Sequence, residues 1–237
     1  MTSNYSIPRW FYEAAFLAVL SVFCMVISFS KGYFSRSGTV LWMNWNLFLA
    51  FIPWCVSSTL VLHRNFWRRK WMVVVALLVW LVFFPNAPYI LTDLMHLQSS
   101  SEESLWFDLL LFLSFAWTGL LYGFFSLWDI EKILRSWMRS AYVTLFSMFL
   151  LFLSGFGVYL GRYLRWNTWD LVTSPQRLLN DIGDRLVDPF SHPTTWGMTL
   201  FMGVFLNILY FSFRLMRNRG EVGASSETKD KSRESRK

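Results

Sequence analysis

The chain has 237 residues, of which 54% are hydrophobic and 20% aromatic, while only 16% are charged. Soluble domains carry about 25% charged residues and roughly 45–50% apolar ones, so this composition excludes an ordinary soluble domain and indicates a membrane protein. The net charge of +7 does not indicate nucleic-acid binding, because the basic residues form short clusters between apolar segments.

Six apolar segments are long enough to cross a bilayer. A helix rises about 1.5 Å per residue, so roughly 20 residues cross a hydrocarbon core of about 30 Å. The predicted fold is therefore all-α, a polytopic bundle of about six transmembrane helices. The predicted spans are 10–30, 40–62, 71–91, 105–128, 141–161 and 195–216.

Lysine and arginine placement predicts the orientation of these spans. The N-terminus, the second and fourth loops and the C-terminal segment together hold 16 of these residues, and the opposite side holds 6. Cytoplasmic loops are enriched in Lys and Arg, so we expect both termini in the cytoplasm. The first, third and fifth loops then lie outside.

Two regions follow from this layout. Residues 1–216 form the predicted transmembrane domain, and residues 217–237 form a basic, polar tail that we expect to be disordered and cytoplasmic. Cys24 and Cys55 fall within the first two spans, so they are predicted to be buried packing residues and not an outer disulfide.

The third span runs into a polar string, FPNAPYILTDLMHL. Pro85 and Pro88 disfavour regular helix, and irregular backbone at membrane depth is tolerated only where it is buried or lines a cavity. Asn86 is therefore predicted to cap or brace this break, and the alternative is that these residues only mark the end of a helix. Asp93 and His96 lie three residues apart and share a face if the backbone stays helical.

Acids and arginines at the outer ends of other spans complete a predicted polar rim. Asp108 begins the fourth span, and Arg162 and Arg165 lie three apart at the end of the fifth. The arginines either pair with Asp93, Asp108 or Asp170, or bind an anionic ligand through their planar guanidinium groups.

The fifth loop is predicted to carry an interfacial amphipathic helix. Ser174 is its expected cap and Pro175 its first residue. One face is apolar, and the other is charged, which is typical of a helix lying on a leaflet or covering the bundle. The apolar face comprises Leu178, Leu179, Ile182 and Leu186. His192 follows, just before the sixth span.

Three stretches carry a resemblance to a known family: FPNAPYILTDLMHL, WFDLLLFLSFAWTGLLYGFFSL and GRYLRWNTWDL. Together they resemble an uncharacterised family of bacterial integral-membrane proteins, a domain of unknown function, over most of residues 40–213. The resemblance implies a multi-helix protein of the bacterial cytoplasmic membrane. It implies no activity.

Three functions remain open from the residues alone. The first is binding of an anionic envelope component, either a lipid or a partner protein, by an outward-facing polar site. The second is a metal-assisted hydrolase or transferase at the outer leaflet, since carboxylates with imidazole can bind a divalent metal and activate water. The third is a small-solute transporter. Whether the protein is an enzyme stays undecided, and no cofactor is predicted beyond that possible metal.

These hypotheses share one set of candidate residues. Candidate catalytic residues are Asp93, His96 and Asp108. Candidate metal ligands are Asp93, His96 and His192, and candidate ligand-binding residues are Arg162, Arg165, Asn167, Asp170 and Asn86.

Overall fold

The computed structural model describes residues 9–35, 39–63, 69–99 and 105–234, with side chains placed over 10–33, 42–63, 69–97 and 105–217. The described chain is helical and contains no strand, which confirms the predicted all-α class. Six of its helical segments are long and apolar enough to cross a membrane, as predicted. Arg9, Arg36, Arg64 and Arg68, which contribute to the orientation count, lie outside the described side chains.

Nine α-helices and one 3-10 helix make up the described chain. They are α1 (Arg9–Ser35), α2 (Thr39–Leu62), α3 (Lys70–Phe83), α4 (Asn86–Tyr89), the 3-10 helix (Ile90–Ser99), α5 (Leu105–Leu134), α6 (Ser140–Tyr163), α7 (Asp170–Thr173), α8 (Pro175–Val187) and α9 (Pro193–Glu234). Because the spans alternate in direction, α1 begins and α5 ends at the same end of the bundle. We call this the proximal end and the opposite one the distal end.

The third span is longer than predicted. It was expected to end at residue 91, but the apolar helical segment runs from Lys70 to Leu97 and passes through three helical pieces. α3 ends at Phe83, where the carbonyl oxygen of that residue accepts a hydrogen bond from the Asn86 side chain at 3.0 Å. Pro85 has no N–H to donate to the helix, so the side chain of Asn86 braces the helix end here.

Four glycines hold this broken segment inside the bundle. A Cβ atom on Gly119 or Gly123 of α5 would lie 2.7 Å from Ile90 and 2.9 Å from Ala87, respectively. On the other side, a Cβ on Gly157 of α6 would lie 2.7 Å from Pro85. Gly161 lies one helical turn further along α6, against Tyr89. Each helix thus presents a GxxxG surface, which lets the irregular backbone pack closely between them.

The break lies within the bundle and not at its surface, because Gly119 and Gly123 fall near the middle of α5. Ala87 and Ile90 are fully buried against them. Irregular backbone at such a depth requires protein or a cavity around it, and both are present here.

α6 and α9 cross closely at a second small-residue contact. A Cβ on Gly155 would lie 2.9 Å from the carbonyl oxygen of Thr199, and one on Gly203 would overlap the ring of Phe152. Asn207 of α9 donates to the carbonyl of Gly203 at 2.7 Å, within its own helix. The close packing at Gly155 and Gly203 anchors the last span to α6.

The cysteine prediction was half right. Cys24 is fully buried, and its Sγ lies 3.4 Å from the hydroxyl of Thr118, whereas Cys55 is exposed on the outside of α2. Both are free thiols. α2 is apolar all round, so burial of one particular position could not be read from its sequence.

The C-terminal part of the chain continues α9. Its backbone is helical to Glu234, and side chains are described to Arg217. The division into a transmembrane domain of residues 1–216 and a disordered tail of residues 217–237 stays a prediction.

Candidate functional site

Three of the predicted rim residues meet in one cluster at the distal end. A guanidinium nitrogen of Arg162 lies 3.7 Å from Asp93 Oδ1, and another lies 3.2 Å from His96 Nε2. Because an arginine only donates, His96 accepts at Nε2 and carries its ring proton on Nδ1. The imidazole also lies 5.3 Å, between ring centroids, from Trp42.

Asp93 is the buried centre of this cluster. Its side chain is 1% exposed, and Oδ2 accepts a hydrogen bond from the side-chain nitrogen of Asn46 at 3.2 Å. Oδ1 has only the electrostatic contact with Arg162 and no hydrogen bond. A buried carboxylate of this kind depends strongly on its cation, because removing the partner leaves an uncompensated charge.

Asp108 belongs to a different ion pair. Its Oδ1 lies 2.5 Å from Lys31 Nζ, and the side chains are 5% and 15% exposed. This pair joins α5 to α1, and the ammonium also lies 5.7 Å from the centre of the Phe112 ring. Asp108 therefore bridges two helices, and its partner is a lysine and not one of the predicted arginines.

The segment after α6 places the remaining predicted ligand-binding residues. Arg165 has a φ of 59°, the left-handed conformation that commonly ends a helix, and its exposed side chain makes no ion pair within the described chain. The next residue, Trp166, donates its backbone N–H to Leu160 at 3.2 Å. Asp170 accepts from the backbone N–H of Asn167 at 2.7 Å and holds the turn before α7.

The predicted amphipathic helix is present as α8. Ser174 is its first flanking residue and Pro175 begins the helix, but the hydroxyl of Ser174 makes no capping hydrogen bond. His192, a candidate metal ligand, instead pairs with Asp184 of this helix at 3.0 Å. The indole N–H of Trp166 donates to Asp181 at 2.8 Å, which ties α8 to the segment after α6.

A groove of about 690 Å³ opens beside the Asp93 cluster. Its walls come from α2, from α3 with the proline break, from α6, from the segment before α8, and from the first turns of α9. Leu178, Ile182 and Leu186 of α8 cover one side, while Leu179 is exposed. Pockets of roughly 300–1,000 Å³ accept small molecules.

The groove is mainly aromatic and aliphatic, with amide and hydroxyl groups as its polar part. It follows α6 from Phe149 to Gly161, a distance of about 18 Å at the rise of an α-helix. Its aromatic residues are Trp45, Tyr89, Phe149, Phe152, Phe156, Trp166, Trp169 and Trp196. Its polar residues are Asn46, Asn86, Asn167, Thr168 and Thr199, and no charged side chain of the described chain lines it.

The predicted residues therefore separate into two groups. Asn86 and Asn167 line the groove, whereas Arg162, Asp93 and His96 form the ion-paired cluster behind Asn46. Asp108 and His192 make contacts elsewhere. Within the described ranges, no three His, Cys, Asp or Glu side chains come together as a group that could hold a metal ion.

Sequence reasoning missed three parts of this site. Asn46 lies in the apolar stretch WMNWNLFL of the second span, where its polarity was the available signal. Lys31 was counted only as a loop charge. The wall formed by Trp45, Phe152 and Phe156 left no signal, because aromatic residues occur throughout the chain.

A second buried charged cluster, at the proximal end, was also missed. Glu131 is 1% exposed and lies 2.7 Å from Arg135 and 3.5 Å from Arg214. Asp129 pairs with Lys132 at 2.9 Å, and Arg217 pairs with Glu13. The sequence DIEK lies near the end of α5, which remains in the bundle up to Leu134.

These observations define a polytopic helical membrane protein with an apolar groove at one end of its bundle. A family model described as "protein of unknown function (DUF1361)" matches residues 45–209, and the chain belongs to this family. This confirms the resemblance to a domain of unknown function. No curated protein and no solved structure matches the chain.

Proposed function

We propose that the protein binds a membrane amphiphile, with the apolar chain in the groove and the polar head at the distal end. The observation that carries this proposal is a groove of about 690 Å³ whose lining is aromatic and aliphatic along α6 and carries asparagine side chains beside the proline break. A groove of about 18 Å along a helix is slightly longer than one leaflet, half of a core of about 30 Å.

The shape of the groove favours one specifically bound lipid chain over loose contact with the surrounding bilayer. The apolar residues of α8 cover one side of the groove, so a chain lying there contacts protein on several sides. Burial of apolar surface between bilayer and protein brings no hydrophobic gain, so affinity depends on close packing and on polar contacts to the head. Aromatic rings and a few polar groups supply both.

The anionic envelope component expected from the sequence is one version of this ligand. Arg162 already contacts Asp93 and His96, so an anionic head depends mainly on Arg165. Arg165→Ala should weaken retention of an anionic lipid if that version holds. Metal-assisted chemistry finds less support, since the groove lining of the described chain contains no Asp, Glu or His.

The test is to fill the groove. Val82 of α3 lines it and is 38% exposed, while Val79, one turn earlier and 40% exposed, does not line it. Native mass spectrometry of the purified full chain should show lipid that survives delipidation in the wild type and in Val79→Trp. Val82→Trp should lose most of it. Equal retention in all three proteins would overturn the proposal.

We also propose that the distal end faces outward, with both termini in the cytoplasm, as the lysine and arginine count predicts. A reporter that is active only in the cytoplasm, fused after residue 237, should be active. A reporter inserted between residues 188 and 191, in the turn before α9, should be inactive. The reverse pattern would place the groove in the inner leaflet.

A further inference from the structure

We infer that the polar end of the groove takes an uncharged headgroup rich in hydrogen-bond donors, as in a glycosylated lipid, in preference to a phosphate headgroup. This inference rests on the proposed function, since it concerns the head of the amphiphile whose chain lies in the groove. The arginines led us to expect an anionic headgroup, whereas the asparagines that line the groove favour an uncharged headgroup that donates hydrogen bonds.

The first observation is the orientation of Asn46. Its side-chain nitrogen donates to Asp93 Oδ2 at 3.2 Å, so the amide nitrogen faces the carboxyl group. The amide orientation is therefore set by its partner. The side-chain group of Asn46 that stays available is its carbonyl oxygen, Oδ1.

Asn86 is oriented in the same way by other partners. Its side-chain nitrogen donates to the backbone carbonyl of Phe83 at 3.0 Å and to the hydroxyl of Thr168 at 3.3 Å. Both N–H groups of this amide are therefore engaged within the protein. The side-chain group of Asn86 that stays available to a ligand is again its carbonyl oxygen, Oδ1.

Both carbonyl oxygens are accessible from the groove. Asn46 and Asn86 are half-buried and line it, and neither Oδ1 atom is among the buried side-chain atoms that lack a hydrogen bond. Within the described chain neither oxygen receives a hydrogen bond. The groove therefore presents these two oriented acceptors to its ligand, beside the side chain of Asn167, and the buried carboxyl group of Asp93 lies directly behind one of them.

Acceptors select against a phosphate. Phosphate oxygens carry negative charge and accept hydrogen bonds, so the carbonyl oxygens of the two asparagines repel them. The hydroxyl groups of a ligand, in contrast, can donate hydrogen bonds to these carbonyl oxygens. Arg162 does not reverse this preference, because Asp93 offsets its charge at 3.7 Å and its guanidinium donates to His96. The two oriented amides at this end of the groove therefore favour a donor.

Tryptophans at the same end suit a sugar. Trp166 and Trp169 line the groove next to Asn167, and the π-face of an aromatic ring is negative. The C–H groups of a sugar ring are slightly positive and can pack on such a face while its hydroxyls reach the carbonyl oxygens. A glycosyl headgroup thus meets both features of this surface.

The experiment is a competition on the wild-type full chain. Equal amounts of monoglucosyl diacylglycerol and phosphatidylglycerol with the same acyl chains are offered in mixed micelles, and bound lipid is counted by native mass spectrometry. We expect the glucosyl lipid to be preferred by roughly tenfold, the effect of one to two neutral hydrogen bonds. Equal binding, or preference for phosphatidylglycerol, would overturn the inference.

A matched pair of variants assigns the preference to the groove. Asn46→Leu removes one acceptor and should lower the preference by roughly three- to tenfold. Asn44→Leu makes the same change two residues earlier on α2, where the side chain donates to Ser28 and does not line the groove, and should leave the preference unchanged. An unchanged preference in Asn46→Leu would count against the inference.

Failure of the inference is distinguishable from failure of the proposed function. If phosphatidylglycerol is preferred and Val82→Trp still removes it, the groove binds lipid but the head assignment is wrong. If neither lipid survives delipidation, or Val82→Trp retains both, the groove is not a binding site. If Asn46→Leu does not fold, the wild-type competition still decides the headgroup.

Discussion

The two ends of the bundle use buried charge in different ways. At the proximal end, Glu131 is shared by Arg135 and Arg214, and the guanidinium of Arg217 lies 5.3 Å from Phe125 and 5.0 Å from Trp128. At the distal end, Asp93 lies 3.7 Å from a single cation, Arg162, and its Oδ1 makes no hydrogen bond, next to an open groove.

This difference indicates that the proximal charges stabilise the helix bundle, whereas the distal charges shape the ligand-binding groove. The proximal charges join α1, α5, α6 and α9 through side chains that satisfy one another, and such a cluster fixes the helices. The distal cluster orients Asn46 toward its own carboxylate and so decides which atoms face the groove. We expect proximal substitutions to act on stability and distal ones to act on ligand binding as well.

The largest effect is expected at Glu131. Replacing it by alanine leaves Arg135 and Arg214 without their shared carboxylate and should cost about 3 kcal/mol of unfolding free energy. This value is at the lower end for a buried ion pair, because both arginines are partly exposed. Thermal unfolding in detergent measures this loss. Asp184→Ala, at a side chain that is 66% exposed, is the control and should stay within about 0.5 kcal/mol. Equal stability of the two variants would show that the proximal cluster does not hold the bundle.

Arg162→Met should cost about 2 kcal/mol, because it leaves the buried Asp93 without a cation. The double variant with Asp93→Asn should recover part of that loss, since the uncompensated charge is then gone. A double-mutant cycle measures the coupling. If the two single losses simply add in the double variant, the contact between Arg162 and Asp93 contributes nothing to the free energy of unfolding. Retained lipid should also fall in Arg162→Met, which distinguishes this end from the proximal one.

Gly157→Ala tests the close packing of the proline break. The added Cβ would lie 2.7 Å from the ring of Pro85, which is rigid, so we expect a loss of about 1–2 kcal/mol from overpacking. Gly183→Ala on α8 meets no atom within 4 Å and should be neutral or slightly stabilising. A neutral Gly157→Ala would mean that the break can shift freely.

The smallest effect is expected at Trp166. Changing it to phenylalanine removes the indole hydrogen bond to Asp181 and should cost about 0.5–1 kcal/mol, felt mainly by α8. Hydrogen exchange of the α8 backbone should accelerate, and the bound lipid should exchange faster. Trp169→Phe is the matched control, because its indole makes no hydrogen bond within the described chain. Equal protection in both variants would contradict a role for this bond in holding α8 over the groove.

Much of the fold was readable because membrane spans leave a long and simple signal. Length and hydropathy suffice for six spans, and Pro175 with its apolar spacing suffices for α8. The third span was predicted to end at residue 91, before the polar residues Asp93 and His96, whereas the helical segment continues to Leu97. In the fold, glycines on two other helices compensate for the break, and such compensation between distant segments is not visible in the span itself.

The site was only partly predictable for a similar reason. Arg162, Asp93 and Asn86 stood out as polar residues at the ends of apolar runs, and the fold brings Arg162 to Asp93. Which acid pairs with which cation depends on helix rotation, so Lys31, and not the predicted Arg162 or Arg165, pairs with Asp108. The groove is formed by gaps between helices, and no residue type in the sequence marks a gap.

Every ligand prediction above requires that the groove beside the proline break holds the chain of a specific amphiphile. The decisive measurement is an experimental structure of the full chain in lipid nanodiscs that contain monoglucosyl diacylglycerol. We expect elongated density along Phe152 and Phe156, with the head near the carbonyl oxygens of Asn46 and Asn86. A groove that is closed by its own side chains, or that shows no ordered density, would rule out a bound chain.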